Sequence, residues 1–373
     1  MSTIRRDELW LLIDSLHFGG IETHVCELAQ GLRQQGTPVR VVFTQKYGGP
    51  SPLKPLLVQN NVACSYLCEL STAKTQLSQL RFALKCHQPK LIHAHGYKAS
   101  LLSKLACKLM RGSIAQISTY HAGEAPTGRV WLYDLLDRYS AFLSNKTLVV
   151  SQKIGQKIPF SSIHINNFIS TDHIKPMRGQ QIAFVGRLSH EKAPERFVGL
   201  AQQFSNQTFP SLESCIPEFH CYGAGALRES LEKMAGQDDG QLVHFHGHQT
   251  DMNAVWPNIS VLVLCSRYEG LPMTALEAMA RGIPVISTNV GDLDQLIQHG
   301  VNGYLADNHE KLAEHLKHWL ELPEDARQQM RNCAIEKVTK SFSTKAIIPQ
   351  LLILYSQACS SSCRRVIEYH TKQ

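Results

Sequence analysis

Two glutamates, Glu269 and Glu277, lie eight positions apart around the start of a predicted helix. Pro272 falls near the first helical position, where a missing backbone N–H costs nothing. The amides of Met273 and Thr274 would then point out of the helix end, a suitable place for a phosphate group. Glu277 would lie about one turn inside the helix, at about 1.5 Å rise per residue. This spacing suits one carboxylate beside a sugar carried by a diphosphate and the other beside the ribose of the same nucleotide. Two surface glutamates on a helix are the alternative.

Two cations, Arg187 and Lys192, follow a predicted strand that ends in Gly186-Arg187. Beside a diphosphate they would neutralise the leaving group as its bond to a sugar breaks, a task otherwise given to a divalent metal. Solvated surface charges are the alternative. His121, at the carboxyl end of another predicted strand, lies where parallel sheets bind ligands.

The strands that must position these residues alternate with helices in two runs. A strand over 9–14, the glycine turn Gly19-Gly20 and a helix over 21–34 open the first run, and a strand over 182–188 opens the second. This alternation predicts an α/β fold with two Rossmann-like parallel-sheet domains. A length of 373 residues gives each domain room for its own core, and the polar run 170–181 is the expected boundary.

The stretch Glu269-Gly-Leu-Pro…Glu277-Ala-Met-Ala-Arg-Gly-Ile-Pro resembles the E-x7-E signature of retaining glycosyltransferases of family 4. The glycine pair, the His121 segment and the Arg187 loop match other motifs of that family in the same order. The resemblance implies the GT-B fold, in which the two domains face a cleft and a C-terminal helix packs back on the first domain. We therefore expect an acceptor-side domain over 1–170, a nucleotide-sugar domain over 171–345, and the returning helix with a tail over 346–373.

The resemblance also implies roles for individual residues. His121 and Glu269 would contact the transferred sugar and form the catalytic pair. The expected donor-binding residues are Gly19, Gly20, Arg187, Lys192, Gly270, Leu271, Met273, Thr274 and Glu277. Phe168 follows Asn167 where the family usually has glycine, so the resemblance leaves donor contact by that loop open. Asp292 and Asp294 form a D-x-D pattern, but they stand at a helix start in the family, so we predict no metal.

The implied activity is transfer of a sugar from a nucleotide-diphosphate sugar, with UDP the expected nucleotide, to a glycan or lipid-linked acceptor. Configuration would be retained and no cofactor used, in lipopolysaccharide, capsule or exopolysaccharide synthesis. A sugar-nucleotide 2-epimerase of the same architecture is an alternative reading. A non-catalytic sugar-nucleotide-binding partner is another.

The charge of the chain is concentrated in its first half. Residues 1–170 hold 19 Lys and Arg against 9 Asp and Glu, whereas the remainder holds 19 against 22. Nucleic acid and an anionic membrane surface would both attract such a domain. The chain has no aromatic interleaving or helix-turn-helix pattern, so we predict peripheral membrane contact and no nucleic acid. No apolar run reaches the ~20 residues of a membrane span, and a signal peptide is not evident, so a cytoplasmic location is expected.

Three further patterns have more than one interpretation. A helix over 97–111 carries Lys104, Lys108 and Arg111 on one side and could lie on anionic lipid or face solvent. The histidine groups 93/95 and 244/246/248 have spacings that can bind metal, but we interpret them as structural. The 11 cysteines lack C-x-x-C pairs and are expected to be small apolar residues.

Overall fold

A computed structural model describes residues 4, 6–110, 113–121, 129–172, 174–209, 216–236 and 242–370. Its contacts divide the chain into two compact units. The first unit is Met1–Ser170 with Thr344–Gln373, and the second unit is Thr171–Ser343.

The first unit is built on a seven-stranded parallel sheet of order β3-β2-β1-β4-β5-β6-β7. The strands are β1 (Leu9–Ile13), β2 (Val39–Phe43), β3 (Ala63–Tyr66), β4 (Leu91–His95), β5 (Ala115–Tyr120), β6 (Lys146–Val149) and β7 (Ile163–His164). The helices are α1 (Gly20–Gln34), α2 (Lys54–Gln59), α3 (Leu67–Leu70), α4 (Gln76–His87), α5 (Tyr97–Leu109), α6 (Arg129–Tyr139) and α7 (Gln152–Gly155). β1 pairs with both β2 and β4, with Leu9 opposite Val39 and Leu91, so the strand order reverses between β1 and β4. Ligands bind at such a reversal, outside the carboxyl ends of the strands.

The second unit repeats this plan with six parallel strands of order β10-β9-β8-β11-β12-β13. The strands are β8 (Gln181–Val185), β9 (Phe219–Tyr222), β10 (Val243–Gly247), β11 (Ile259–Leu264), β12 (Val285–Thr288) and β13 (Gly303–Ala306). The helices are α8 (Pro194–Phe204), α9 (Arg228–Ala235), α10 (Met273–Ala280), α11 (Leu293–Leu296), α12 (His309–Glu321) and α13 (Glu324–Ser341). Here the order reverses between β8 and β11. The predicted α/β class with two Rossmann-like parallel sheets is confirmed.

The last helix, α14 (Thr344–His370), returns to the first unit as the fold class predicts. Its residues Ile347, Ile348 and Leu351 are buried in the core beneath β1 and α1. The contact with α1 depends on Gly31, because a Cβ there would lie 2.7 Å from Ile348 Cγ1. A larger side chain would therefore push the two helices apart.

The expectation that the basic side of the helix over 97–111 faces solvent or lipid is wrong for Lys104. Lys104 does not face solvent or lipid: its side chain is 1% exposed, and its Nζ lies 2.6 Å from Asp137 Oδ1 on α6. The helix α6 was not predicted, and it covers this side of α5. Arg111 lies outside the described residues. Within the described part of the chain, no helix has the length and hydropathy needed to cross a membrane.

Candidate functional site

The loops after β8 and β11 meet at the strand reversal of the second unit. Lys192 Nζ lies 2.5 Å from Glu269 Oε1, and Ser266 Oγ donates a hydrogen bond of 2.6 Å to the same oxygen. The Glu269 side chain is 7% exposed and the Lys192 side chain 20%. The structure therefore brings together two residues that are 77 positions apart in sequence. Arg187 lies in the same loop as Lys192, with an exposed side chain.

Arg267 ties these two loops to each other. Its guanidinium donates to the carbonyl oxygen of His190 at 2.7 Å and to Glu195 Oε1 at 2.5 Å. Its backbone N–H donates to the carbonyl oxygen of Glu191 at 2.8 Å. Together these bonds fix the position of Lys192 relative to Glu269. Sequence reasoning gave no role to Arg267 or Ser266, because the pattern of either residue alone is that of an ordinary polar loop.

Glycines allow two further loops to approach the site. A Cβ on Gly291, whose φ is +65°, would lie 2.2 Å from the carbonyl oxygen of Gly270. The next residue, Asp292, donates its N–H to that same oxygen at 3.1 Å. A Cβ on Gly223 would lie 1.8 Å from the carbonyl oxygen of Gly186. The backbone of the Glu269 loop thus packs against the backbone at Gly291, and the backbone of the Arg187 loop packs against the backbone at Gly223. Only glycine permits such close approach.

The helix α10 begins at Met273, with Pro272 in extended conformation at its N-cap. Leu271 and Met273 are buried and anchor this end of the helix. The first intrahelical bond runs from the Ala275 N–H to the Pro272 carbonyl oxygen at 3.1 Å. The amides of Met273 and Thr274 therefore belong to the first turn, at the positive end of the helix dipole. Asp292 and Asp294 also stand at a helix start, that of α11, as predicted.

Glu277 is half-buried on α10, about one turn from the helix start. Burial raises the pKa of its carboxyl group, while the charge of Arg281 opposes that effect. The Arg281 guanidinium is held at 2.8 Å from the Glu277 carbonyl oxygen and 2.9 Å from Asn253 Oδ1. A partly desolvated carboxylate of this kind is suited to accept hydrogen bonds from ligand hydroxyls.

In the first unit, His121 belongs to a cluster of histidines. His121 Nε2 lies 3.0 Å from His95 Nδ1, and its ring centroid lies 4.6 Å from that of His24. Burial lowers the pKa of His24 to about 4 and holds the pKa values of His95 and His121 well below the ordinary value. The three rings are therefore neutral near pH 7. Gly19 and Gly20 are also in this unit, exposed at the start of α1.

His93 and Phe168 have structural roles close to this cluster. His93 Nδ1 lies 2.8 Å from the Tyr355 hydroxyl, and its Nε2 lies 2.6 Å from Thr119 Oγ1. This agrees with the structural interpretation of His93, whereas its neighbour His95 turns towards His121. Phe168 is fully buried, with its ring 5.0 Å from that of His24. The side chain that replaces the expected glycine therefore fills the core.

The second histidine group lies on the edge strand β10. His246 Nε2 is 2.9 Å from His220 Nδ1 on β9, and the two rings are stacked. His246 also stacks on Tyr222 at 4.4 Å. These contacts are those of cross-strand packing.

The sequence matches two family models in succession. Residues 18–158 match Glycosyltransferase Family 4, and residues 166–337 match Glycosyl transferases group 1. Each unit of the chain thus matches a glycosyltransferase family model, and the two parallel sheets have the GT-B fold.

Individual relatives are similar over parts of the chain. D-inositol 3-phosphate glycosyltransferase of Salinispora tropica is 29% identical over 52% of this chain and 42% of that protein. The O-antigen biosynthesis glycosyltransferase WbnH of Escherichia coli is 35% identical over 35% of this chain and 34% of that protein. The chain thus spans less than half the length of these two relatives. The crystal structure of Anabaena HepE in complex with UDP-glucose has a TM-score of 0.77 at 17% identity, covering 94% of this chain and 99% of HepE.

Proposed function

We propose that this protein transfers a sugar from a nucleotide-diphosphate sugar to a glycan or lipid-linked acceptor, with retention of anomeric configuration. The observation that carries the proposal is the Lys192–Glu269 pair at the strand reversal of the second unit, beside the start of α10. A cation, a carboxylate and a helix N-terminus at one point match the three parts of a sugar diphosphate: its charge, its hydroxyls and its phosphate oxygens.

In this proposal Arg187, Lys192 and the amides of Met273 and Thr274 hold the diphosphate, next to Gly270 and Leu271. Glu277 accepts hydrogen bonds from the ribose, and Glu269 and His121 contact the sugar. Gly19 and Gly20 lie beside the diphosphate. Because the side-chain cations and the helix dipole neutralise the leaving group, transfer needs no metal or other cofactor.

The environment of Glu269 argues against a role as nucleophile. Its Oε1 accepts hydrogen bonds from both the Lys192 ammonium and the Ser266 hydroxyl, which makes the carboxylate a poor attacking group. We therefore propose reaction on one face of the sugar. The bond from the anomeric carbon to the phosphate oxygen breaks, the acceptor oxygen bonds to that carbon on the same face, and the departing phosphate takes the acceptor's proton.

The nature of the donor and the pathway rest on the relatives. HepE binds UDP-glucose, and WbnH is named for O-antigen biosynthesis. We therefore propose a UDP-sugar as the donor and a lipopolysaccharide, capsule or exopolysaccharide glycan as the product.

The surface of the first unit supports a lipid-linked acceptor. Its positive excess would attract anionic headgroups. Three aromatic side chains on and after α6 are strongly exposed: Trp131 at 50%, Tyr139 at 61% and Phe142 at 62%. Aromatic residues in this setting favour the interface of a membrane with water. We propose that the protein is cytoplasmic and contacts the membrane through this unit.

A panel of UDP-, GDP- and ADP-sugars tests the donor class by thermal shift, since a bound ligand raises the melting temperature. The hit is then incubated with lipid-linked glycan acceptors, and the new linkage is assigned by NMR. A changed sugar nucleotide without acceptor would instead indicate a 2-epimerase. Binding without turnover would indicate a non-catalytic partner, and an inverted anomer would contradict retention.

A further inference from the structure

Three histidines from separate elements of the first unit point into one small volume. His24 comes from α1, His95 from the end of β4, and His121 from the residue after β5. One ring nitrogen of each lies within 4.8 Å of one ring nitrogen of each of the others. Among the described residues, this is the group of histidines, cysteines and carboxylates whose geometry could hold a metal ion.

Two nitrogens in this group are unsatisfied. His24 Nδ1 and His95 Nε2 are buried, and neither has a hydrogen-bond partner among the described residues. A buried polar atom without a partner is destabilising, so two of them in one cluster of three rings indicate a missing ligand. Packing alone does not explain them, because nearby His93 has partners for both of its ring nitrogens.

We propose that His24, His95 and His121 bind one divalent transition-metal ion, with Zn²⁺ the expected species. Imidazole nitrogen suits zinc, and three histidines with an open fourth position form a known type of zinc site. Zn–N bonds of about 2.0–2.1 Å place tetrahedral ligand atoms about 3.3 Å apart, so the rings need to close by about 1.5 Å at most. Rotation of the side chains supplies such a movement.

The surroundings of the three histidine rings suit a metal ion. His24 and His95 are buried and His121 is partly buried, and no carboxylate among the described residues belongs to the group.

The consequence for transfer rests on the proposed function. If His121 contacts the sugar, then a bound ion withdraws its ring from the substrate. Zinc is then an inhibitor of a transferase that needs no metal, and chelators restore the activity. Metal binding itself does not depend on the proposed function.

The test uses the full chain, freed of metal by chelator and titrated with Zn²⁺ in a calorimeter and with Co²⁺ in an absorption spectrometer. We expect one ion per chain, a higher melting temperature and the strong visible absorption of four-coordinate Co²⁺ with nitrogen ligands. His24→Gln and His95→Gln should each weaken Zn²⁺ binding more than about 100-fold, beyond the usual effect of losing an outer-shell partner. The double variant His244→Ala/His246→Ala is the matched control, because it removes an exposed histidine pair and should bind as the wild type does.

Each outcome decides the proposal. If the wild type takes up no Zn²⁺, or if the His244→Ala/His246→Ala variant loses the ion while His24→Gln keeps it, the proposal is wrong. Circular dichroism shows whether a variant is folded. If His24→Gln and His95→Gln do not fold, X-ray absorption of the Zn-loaded wild type decides instead, because a first shell without three imidazoles excludes the site. Zinc binding in a protein that transfers no sugar would overturn the proposed function alone.

Discussion

The two units share one sheet plan but place opposite chemistry at the same point of it. In each unit the strand order reverses beside the first strand. The reversal lies between β1 and β4 in the first unit and between β8 and β11 in the second. The first unit carries the neutral rings of His24, His95 and His121 near its reversal. The second unit carries the charged pair Lys192–Glu269.

The partners of the buried side chains account for this difference. His24 and His95 are buried and His121 is partly buried, and their desolvation disfavours the charged form because no acidic partner among the described residues offsets it. The Glu269 side chain is also buried, at 7% exposed, but it is paired with the Lys192 ammonium and the Ser266 hydroxyl. A common fold thus supplies the position, and the partners of each side chain decide which chemistry it offers.

The largest expected effect comes from the buried charge of the first unit. Lys104→Met leaves Asp137 as a buried carboxylate without its cation and should lower the free energy of unfolding by about 3–5 kcal/mol. Urea unfolding measures the loss. Lys98→Met, on the same helix, removes a pair whose lysine is 44% exposed, and Asp14 keeps its hydrogen bonds from Thr44 and Tyr47, so the cost should be at most about 1 kcal/mol. Equal losses would mean that α6 does not bury Lys104.

In the second unit, the charge of Lys192 should matter for catalytic activity more than for folding. Lys192→Ala removes a cation from the diphosphate and the partner of Glu269, so kcat/KM for transfer should fall about 10²–10³-fold. Steady-state kinetics with the donor found in the thermal-shift panel measure it. Lys311→Ala breaks an exposed pair with Glu314 and serves as the control, with unchanged kinetics expected. Near-normal kcat/KM in Lys192→Ala would remove the central residue of the proposed donor site.

A smaller effect is expected from the backbone contact that holds the Glu269 loop. Gly291→Ala forces a Cβ against the Gly270 carbonyl oxygen and should weaken both folding and donor binding. Gly300→Ala is a matched control, since its φ of +75° is similar and nothing lies within 4 Å of its Cβ. It should show only the conformational cost of about 1–2 kcal/mol and normal donor binding. Equal donor affinities in the two variants would show that the contact is irrelevant to the site.

The smallest effect concerns the pKa of Glu277. Because the pKa of Glu277 is higher in the folded state than in the unfolded state, its protonated form stabilises the fold. This stabilisation is complete below the unfolded pKa and is lost as pH rises through the folded pKa. Glu277→Gln should therefore be more stable than the wild type near neutral pH, equal to it near pH 4, and weaker in donor binding. Melting temperatures across this range measure the difference.

The pKa of the exposed Glu336 shifts in the opposite direction to that of Glu277. Lys340 lowers the pKa of Glu336, so Glu336→Gln should be less stable than the wild type at neutral pH. The same sign of change in both variants would contradict the assigned environments.

Local sequence pattern was enough to predict the two parallel sheets and the position of the charged loops. Strand-length apolar runs separated by glycine turns and amphipathic helices define parallel sheets, and the loops after their strands must lie at the carboxyl edge. Glu269, Lys192 and the start of α10 were therefore predicted from local pattern, although the contact between Lys192 and Glu269 was not.

Which side chains become buried depends on packing between distant elements, and the sequence pattern did not predict it. Lys104 has the helical spacing of a surface lysine, and it is buried because the unpredicted helix α6 packs over it. His24 and His121 are 97 positions apart, and they meet because α1 and β5 pack at one end of the sheet. Local pattern records how a residue faces its own helix or strand, whereas burial depends on which distant element covers that face.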